Sequence, residues 1–293
     1  MFLFEELSSM DAWRKVMSFI DRLLRYSREG DSLLCVGLDP VPERIPAVVR
    51  DAVDPVLVFN YAIVEATASW AAAFKPNIAF YEALGPAGLE TLQKTVAFIH
   101  QHTRALVILD AKRADIGHSS AAYARSLYDR LGADAVTLNP YLGRDALAPF
   151  LERPEKGCFI LCRTSNPGAG ELQDLIVAGR PLYQVIAERI RGWNCLGNCG
   201  LVVGATYPAE LAEVRALCPE LPFLIPGVGA QGGDLARAVQ AGVDPHGERV
   251  LINSSRSILY ASADADFAEA AGRAAQRMCE EINQARSGNR VPS

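Results

Sequence analysis

Residues 105–118 read ALVILDAKRADIGH, an apolar run that ends in Asp110, Lys112, Arg113 and Asp115, four charges within six positions. A run without polar alternation fits a parallel strand buried on both faces. Charges bunched at its end fit either a solvated turn or a site. Seven further runs of the same kind decide the matter: LLCVGLDP (33–40), AAFKPN (72–77), AVTLNP (135–140), CFILCRTSNP (158–167), GLVVGAT (200–206), PFLIPGVG (222–229) and RVLINSS (249–255). Amphipathic helical patterns follow them over 56–70, 86–102, 119–131, 182–192, 208–217 and 234–241, with a shorter one over 143–150 and a last one over 264–285.

Eight strand–helix units in a chain of 293 residues predict an α/β fold, a single (β/α)8 TIM barrel. A doubly wound open sheet shows the same alternation, but the count of eight and the lack of a linker-like break favour closure. We expect one domain over 1–293, with the barrel over about 33–285 and an extra N-terminal helix over about 9–28 capping the barrel bottom. The tail ARSGNRVPS should be frayed.

Composition narrows the function classes. Twenty-nine basic against 34 acidic residues give a net charge of −5, which argues against a nucleic-acid or membrane-surface partner. No uncharged apolar run nears the roughly 18–20 residues of a membrane span. The N-terminus, MFLFEELSSMDAWRK, carries acids where a secretory signal needs positive charge. Of seven cysteines, Cys35, Cys158 and Cys162 sit in apolar stretches and read as small core hydrophobes. Cys195 and Cys199 have C-x3-C spacing with no second pair and no nearby His, so they read as structural. A reducing cytoplasm is the expected compartment.

Polar signatures close almost every strand: GLDP, FKPN, LDAKRAD, LNPY, RTSNPG, GVGAQGG and NSSRS. In a barrel these ends share one face, where the chemistry of this fold resides. Asp110 and Lys112 are two apart on a strand and should share a side, with Asp115 in the loop beyond and Lys75 at the end of the neighbouring strand. Carboxylates around a lysine favour its charged form. That suits donating a proton or stabilising an anion better than forming a Schiff base. Metal dependence is not expected: no His-x-His or dense acidic cluster is present, His118 reads as a loop or helix-start residue, and His100, His102 and His246 read as ordinary surface positions.

Gly227, Gly229 and Gly232 spell G-x-G-x-x-G, but in the seventh unit, too late for a dinucleotide fingerprint. Loops after strands 7 and 8 of a barrel often hold phosphate, and Arg256 in NSSRS adds a planar fork that suits it. TSNPGAG (164–170) opens a loop to about 181 that reads as a base-facing site with a mobile lid. Asp39 in GLDP can accept hydrogen bonds from ribose hydroxyls.

Taken together, LDAKRAD resembles the D-x-K-x-x-D signature of the orotidine 5′-phosphate decarboxylase family. FKPN, DIGHSSAAYA, NPYLG, RTSNPGA and PGVGAQGG resemble its longer bacterial type-2 branch, over about residues 33–260. Arg113-Ala114 stands where many relatives have Arg-Gly, and NSSRSI replaces a more usual glycine before the arginine. The resemblance implies cofactor-free decarboxylation of orotidine 5′-monophosphate to UMP and CO2 in de novo pyrimidine synthesis. It assigns ribose contacts to Asp39 and Lys75, places Asp110 against the departing carboxylate, and gives Lys112 the stabilisation and protonation of the C6 carbanion. Ser165 and Asn166 would meet the pyrimidine, while Gln231, Gly232 and Arg256 would grip the phosphate. Asp115, Ile116 and Ser119 would reach into the partner subunit's site, which implies a homodimer. Two rivals remain at this stage: a metal-assisted sugar-phosphate synthase or decarboxylase on the same scaffold, and a barrel that only binds a phosphorylated ligand.

Overall fold

The computed structural model describes residues 17–228 and 234–287. Eight parallel strands close into a barrel: β1 (Leu34–Leu38), β2 (Ala73–Pro76), β3 (Leu106–Arg113), β4 (Ala135–Leu138), β5 (Gly157–Arg163), β6 (Cys199–Val203), β7 (Phe223–Ile225) and β8 (Val250–Ser254). Each pairs with its neighbours in sequence, and β8 closes on β1 through Leu34↔Ile252 and Cys35↔Asn253. The outer ring is α2 (Pro55–Thr67), α3 (Gly85–His102), α4 (Gly117–Ala124), α5 (Arg144–Leu151), α6 (Leu182–Trp193), α7 (Pro208–Leu217), α8 (Leu235–Gly242) and α9 (Phe267–Ser287). An additional helix, α1 (Phe19–Glu29), precedes the barrel. It starts at Phe19, later than the helix expected over 9–28, because Ser18 is its N-cap and Met17 forms a bend, while residues 9–16 lie outside the described residues. Of the tail expected to fray, Ala285, Arg286 and Ser287 are instead the end of helix α9, with Ala285 and Arg286 buried, and the rest from 288 lies outside the described residues.

The strands read as unbroken apolar runs because both of their faces are buried. On β3, Leu106 and Ile108 point into the barrel while Val107 and Leu109 pack outward against the helices. The interior combines large and small residues, Phe159 sharing it with Ala73, Ala135 and Cys35. A side chain at Gly200 would have its Cβ 2.7 Å from the Phe159 ring, which keeps that position bare.

Helix α1 plugs the bottom. Ser18 caps it by accepting a hydrogen bond from the Asp21 amide (3.2 Å). Phe19, 1% exposed, meets Phe159 edge-on with ring centroids 5.8 Å apart. Arg22 then reaches between strands, with Nη1 donating to Asp134 Oδ1 (2.6 Å) and Nη2 to the Glu155 carbonyl (2.7 Å). The other Asp134 oxygen accepts from the Val107 amide (2.9 Å) and faces His100 Nε2 (2.9 Å). Burial alone would push the Asp134 carboxyl up, but His100 and Arg22 outweigh it and hold the group well below the usual carboxylate range. His100 is therefore not the ordinary surface position expected of it. Its side chain is 23% exposed and belongs to the network that fastens α1 to the barrel. His102 and His246 are exposed, and exposed His118 lies in the first turn of α4.

All seven cysteines are free; six are buried and Cys195 is exposed. Among the described residues no helix is long and apolar enough to cross a membrane.

Candidate active site

The C-terminal ends of the strands open into a cavity of about 530 Å³. It collects Asp39 after β1, Lys75 from β2 and Asn77 just after it, Asp110 and Lys112 from β3, Thr137 from β4, Ser165 and Asn166 after β5, and Arg256 after β8.

Its charged centre is built on Asp110. Lys75 Nζ donates to Asp110 Oδ2 (2.8 Å) and Lys112 Nζ to Asp110 Oδ1 (2.5 Å). Burial would raise the Asp110 pKa, but the two ammonium groups overcome it and keep the carboxylate ionised far below its normal range. Burial opposes the charge on Lys75 in the same way, and Asp110 and Asp39 reverse that, leaving its pKa above the usual lysine value. The two lysines differ in access. The Lys75 side chain is 5% exposed and locked, whereas that of Lys112 is 49% exposed and faces the cavity.

Simple alternation does not bring Asp110 and Lys112 together. Between Leu109↔Val136 and Arg113↔Leu138 the β3 register shifts, so Asp110, Ala111 and Lys112 all lie opposite Thr137. Lys112 takes φ +46°, a left-handed conformation that non-glycine residues seldom adopt. The Thr137 hydroxyl accepts from the Lys112 amide (2.9 Å) and donates to Asp110 Oδ1 (2.8 Å). Two cavity oxygens, Asp39 Oδ1 and Asn253 Oδ1, are buried without a hydrogen-bond partner among the described residues. They are poised to accept from hydroxyl or N–H groups of a ligand.

The segment after β5 is more ordered than an open loop. It holds a helical turn, Gly170–Gln173, and a small antiparallel pair, Ile176–Val177 with Arg180–Pro181. Gln173 folds back onto Thr164, accepting from its amide (2.9 Å) and donating to its hydroxyl (2.8 Å). Arg163, 3% exposed, anchors the segment from below through Gln173 Oε1 (3.3 Å), Asp174 (3.2 Å) and Glu210 of α7. Ser165 presses on the backbone at Gly204, where an added Cβ would lie 2.8 Å from the serine Cβ.

Of the residues singled out from sequence, Asp39, Lys75, Asp110, Lys112, Ser165, Asn166 and Arg256 line this one cavity. Asp115, Ile116 and Ser119 do not line it. Asp115 instead accepts from the Ile116 amide (2.8 Å), and Ile116 and Ser119 are exposed on the outer rim. Gln231 and Gly232 lie outside the described residues. Sequence reading missed Thr137, Asn77, Gln173 and Asn253. Thr137 had a signal, as the lone polar residue inside AVTL one alternation above inward-facing Ala135. Among the described residues no three His, Cys, Asp or Glu side chains gather as a metal-binding group.

A family model described as orotidine 5′-phosphate decarboxylase / HUMPS family matches residues 32–271. The chain is 54% identical over 273 residues to an orotidine 5′-phosphate decarboxylase of Thermomicrobium roseum, covering 92% of this chain and 96% of that protein. It is 51% identical over 274 residues to the enzyme of that name from Roseiflexus castenholzii, covering 92% and 98% respectively. The solved structure of Leishmania donovani OMP decarboxylase superposes with a TM-score of 0.80 at 41% identity, covering 92% of this chain and 99% of that one.

Proposed function

The chain belongs to the orotidine 5′-phosphate decarboxylase / HUMPS family, and on that premise we propose how its cavity turns orotidine 5′-monophosphate into UMP and CO2. The observation that carries the reading is the Lys75–Asp110–Lys112 array at the barrel mouth, with its one accessible ammonium on Lys112.

Asp39 and Lys75 take the ribose hydroxyls, for which the unpartnered Asp39 Oδ1 is an available acceptor. Ser165 and Asn166 meet the pyrimidine edge, and Arg256, together with Gln231 and Gly232, takes the 5′-phosphate. The bond from C6 to the carboxylate breaks beside Asp110, CO2 departs, and the electron pair stays on C6. Lys112 faces that charge with an ammonium already oriented by Asp110, so little reorganisation is needed as the charge develops. The lysine then gives one proton to C6 and recovers it from solvent. Phosphate binding is remote from the reacting carbon, so its energy can order the site around the base.

The curated relatives at about half identity carry the decarboxylase name, and that favours this reading. Incubating the protein with orotidine 5′-monophosphate and EDTA while following the pyrimidine absorbance tests it directly. Rapid loss of absorbance is expected. Turnover confined to a pentulose phosphate with added metal, or binding without turnover, would overturn it.

Arg256→Ala should raise KM by about one to two decades, because a charge-assisted hydrogen bond contributes roughly 1.5–3 kcal/mol. The deficit should shrink for the nucleoside, which has no phosphate to lose. An equal loss with both substrates would place Arg256 elsewhere.

The working unit is a homodimer with shared sites. In support, Asp115, Ile116 and Ser119 are turned from their own cavity. The rim that bears them also exposes apolar surface: Ile116 is 64% exposed, and Tyr141 and Leu142 of the adjoining β4 loop are 86% and 45% exposed. A reducing cytoplasm suits seven free thiols.

A further inference from the structure

We propose that Thr137 is a positioning residue for the decarboxylation, setting where the Lys112 ammonium stands; the proposal rests on the reaction assigned above.

β4 runs Ala135–Leu138 and its inward residues are Ala135 and Thr137, so Thr137 occupies the top layer of the barrel interior, directly under the cavity. Opposite it, β3 fits Asp110, Ala111 and Lys112 into the space of one residue. A strand bulged in this way loses ladder hydrogen bonds, and its displaced amides need other partners. The Thr137 hydroxyl supplies the partner for Lys112, accepting from its amide at 2.9 Å. The same oxygen spends its one proton on Asp110 Oδ1, at 2.8 Å, the atom that also receives Lys112 Nζ at 2.5 Å.

One hydroxyl, using one donor and one acceptor site, therefore holds the lysine at both ends. It fixes the backbone in its left-handed turn at φ +46° and, through Asp110, fixes the ammonium tip. Thr137 is 1% exposed, so bulk solvent does not compete for these bonds. Lys75 steadies the opposite Asp110 oxygen but has no bond to the Lys112 backbone. Thr137 is thus the side chain that couples the bulge to the carboxylate.

A hydroxyl that only satisfied a buried amide would affect stability and leave the chemistry alone. A positioning hydroxyl affects kcat, because a misplaced reacting group can cost on the order of a hundredfold even when the change lies outside the chemistry. Thr137→Val keeps the shape and deletes both bonds. We expect kcat to fall roughly 10- to 100-fold, with KM and the Kd for UMP within about threefold of wild type. Thr137→Ser, which retains the hydroxyl, should stay within about threefold in kcat. Near-wild-type kcat in the valine variant, or equal losses in the valine and serine variants, would overturn the proposal. So would a rise in KM at unchanged kcat. Should the valine variant not fold, Thr137→Ala against Thr137→Ser carries the same comparison, and a kcat ratio near one overturns it.

Hydrogen exchange at the Lys112 amide, followed by NMR, separates this proposal from the assigned reaction. The exchange should quicken by at least about tenfold without the hydroxyl and stay protected in the serine variant. Unchanged exchange in the valine or alanine variant overturns the role of Thr137 whatever substrate the site takes. Failure of the wild-type protein to consume orotidine 5′-monophosphate would instead overturn the reaction.

Discussion

Lys112→Ala should abolish turnover while leaving the site able to bind UMP. The residue is asked to do two things, each with its own scale. Losing a preorganised group that faces developing negative charge costs about 10²–10³ in kcat. Losing a positioned proton donor costs about 10²–10⁴. Together these predict a drop of roughly 10⁴-fold or more in kcat, limited by how far the two roles overlap. Binding should survive because the proposed phosphate and ribose contacts come from Arg256, Asp39 and Lys75, on strands β8, β1 and β2 or their loops. Folding should survive as well. The Lys112 side chain is 49% exposed, and alanine at φ +46° is strained no more than lysine was. Steady-state kinetics together with UMP titration decide the matter. Near-normal kcat would remove Lys112 from the chemistry, whereas loss of UMP affinity in step with kcat would make it a binding residue.

The sequence reveals the barrel more readily than the mechanism of its centre. Strand runs such as ALVIL and GLVV are legible because a parallel strand between an interior and a helix layer is apolar on both faces. The strand-end polar residues follow from closure, since all eight ends must share one mouth. What alternation misjudges is the route by which Asp110 and Lys112 meet. It places them two apart on one face, while the structure joins them through a three-against-one bulge and a left-handed lysine. A lysine gives no sign of such a backbone, because left-handed conformations are the habit of glycine and asparagine. His100 was illegible for a different reason. It follows Ile99 on the α3 face that packs on the barrel, and its partner Asp134 lies 34 residues on, in the turn before β4, so no local pattern links them. Gln173 likewise carries no signal until the segment after β5 folds back on Thr164.

Mixing two inactive homodimers should restore activity if the sites are shared as proposed. Asp110 and Lys112 point into their own cavity, whereas Asp115 sits in the loop beyond β3, bonded to the Ile116 amide on an exposed rim. Each site would then combine Lys112 of one subunit with Asp115 of the other. Lys112→Ala and Asp115→Ala homodimers, each nearly inactive, are mixed under conditions that let subunits exchange. In a hybrid dimer both defects fall in one site and the second site is wild type, as the two-fold symmetry of an isologous interface requires. Equal mixing makes about half of the dimers hybrid, each with one intact site, so activity should recover to about a quarter of the wild-type value. Were both residues to serve the site of their own chain, every site in every dimer would stay damaged and mixing would restore nothing. Exchange verified by native mass spectrometry without recovery of activity would therefore return Asp115 to its own subunit. The decarboxylase reading would stand even then, because the Lys75–Asp110–Lys112 array lies within a single chain.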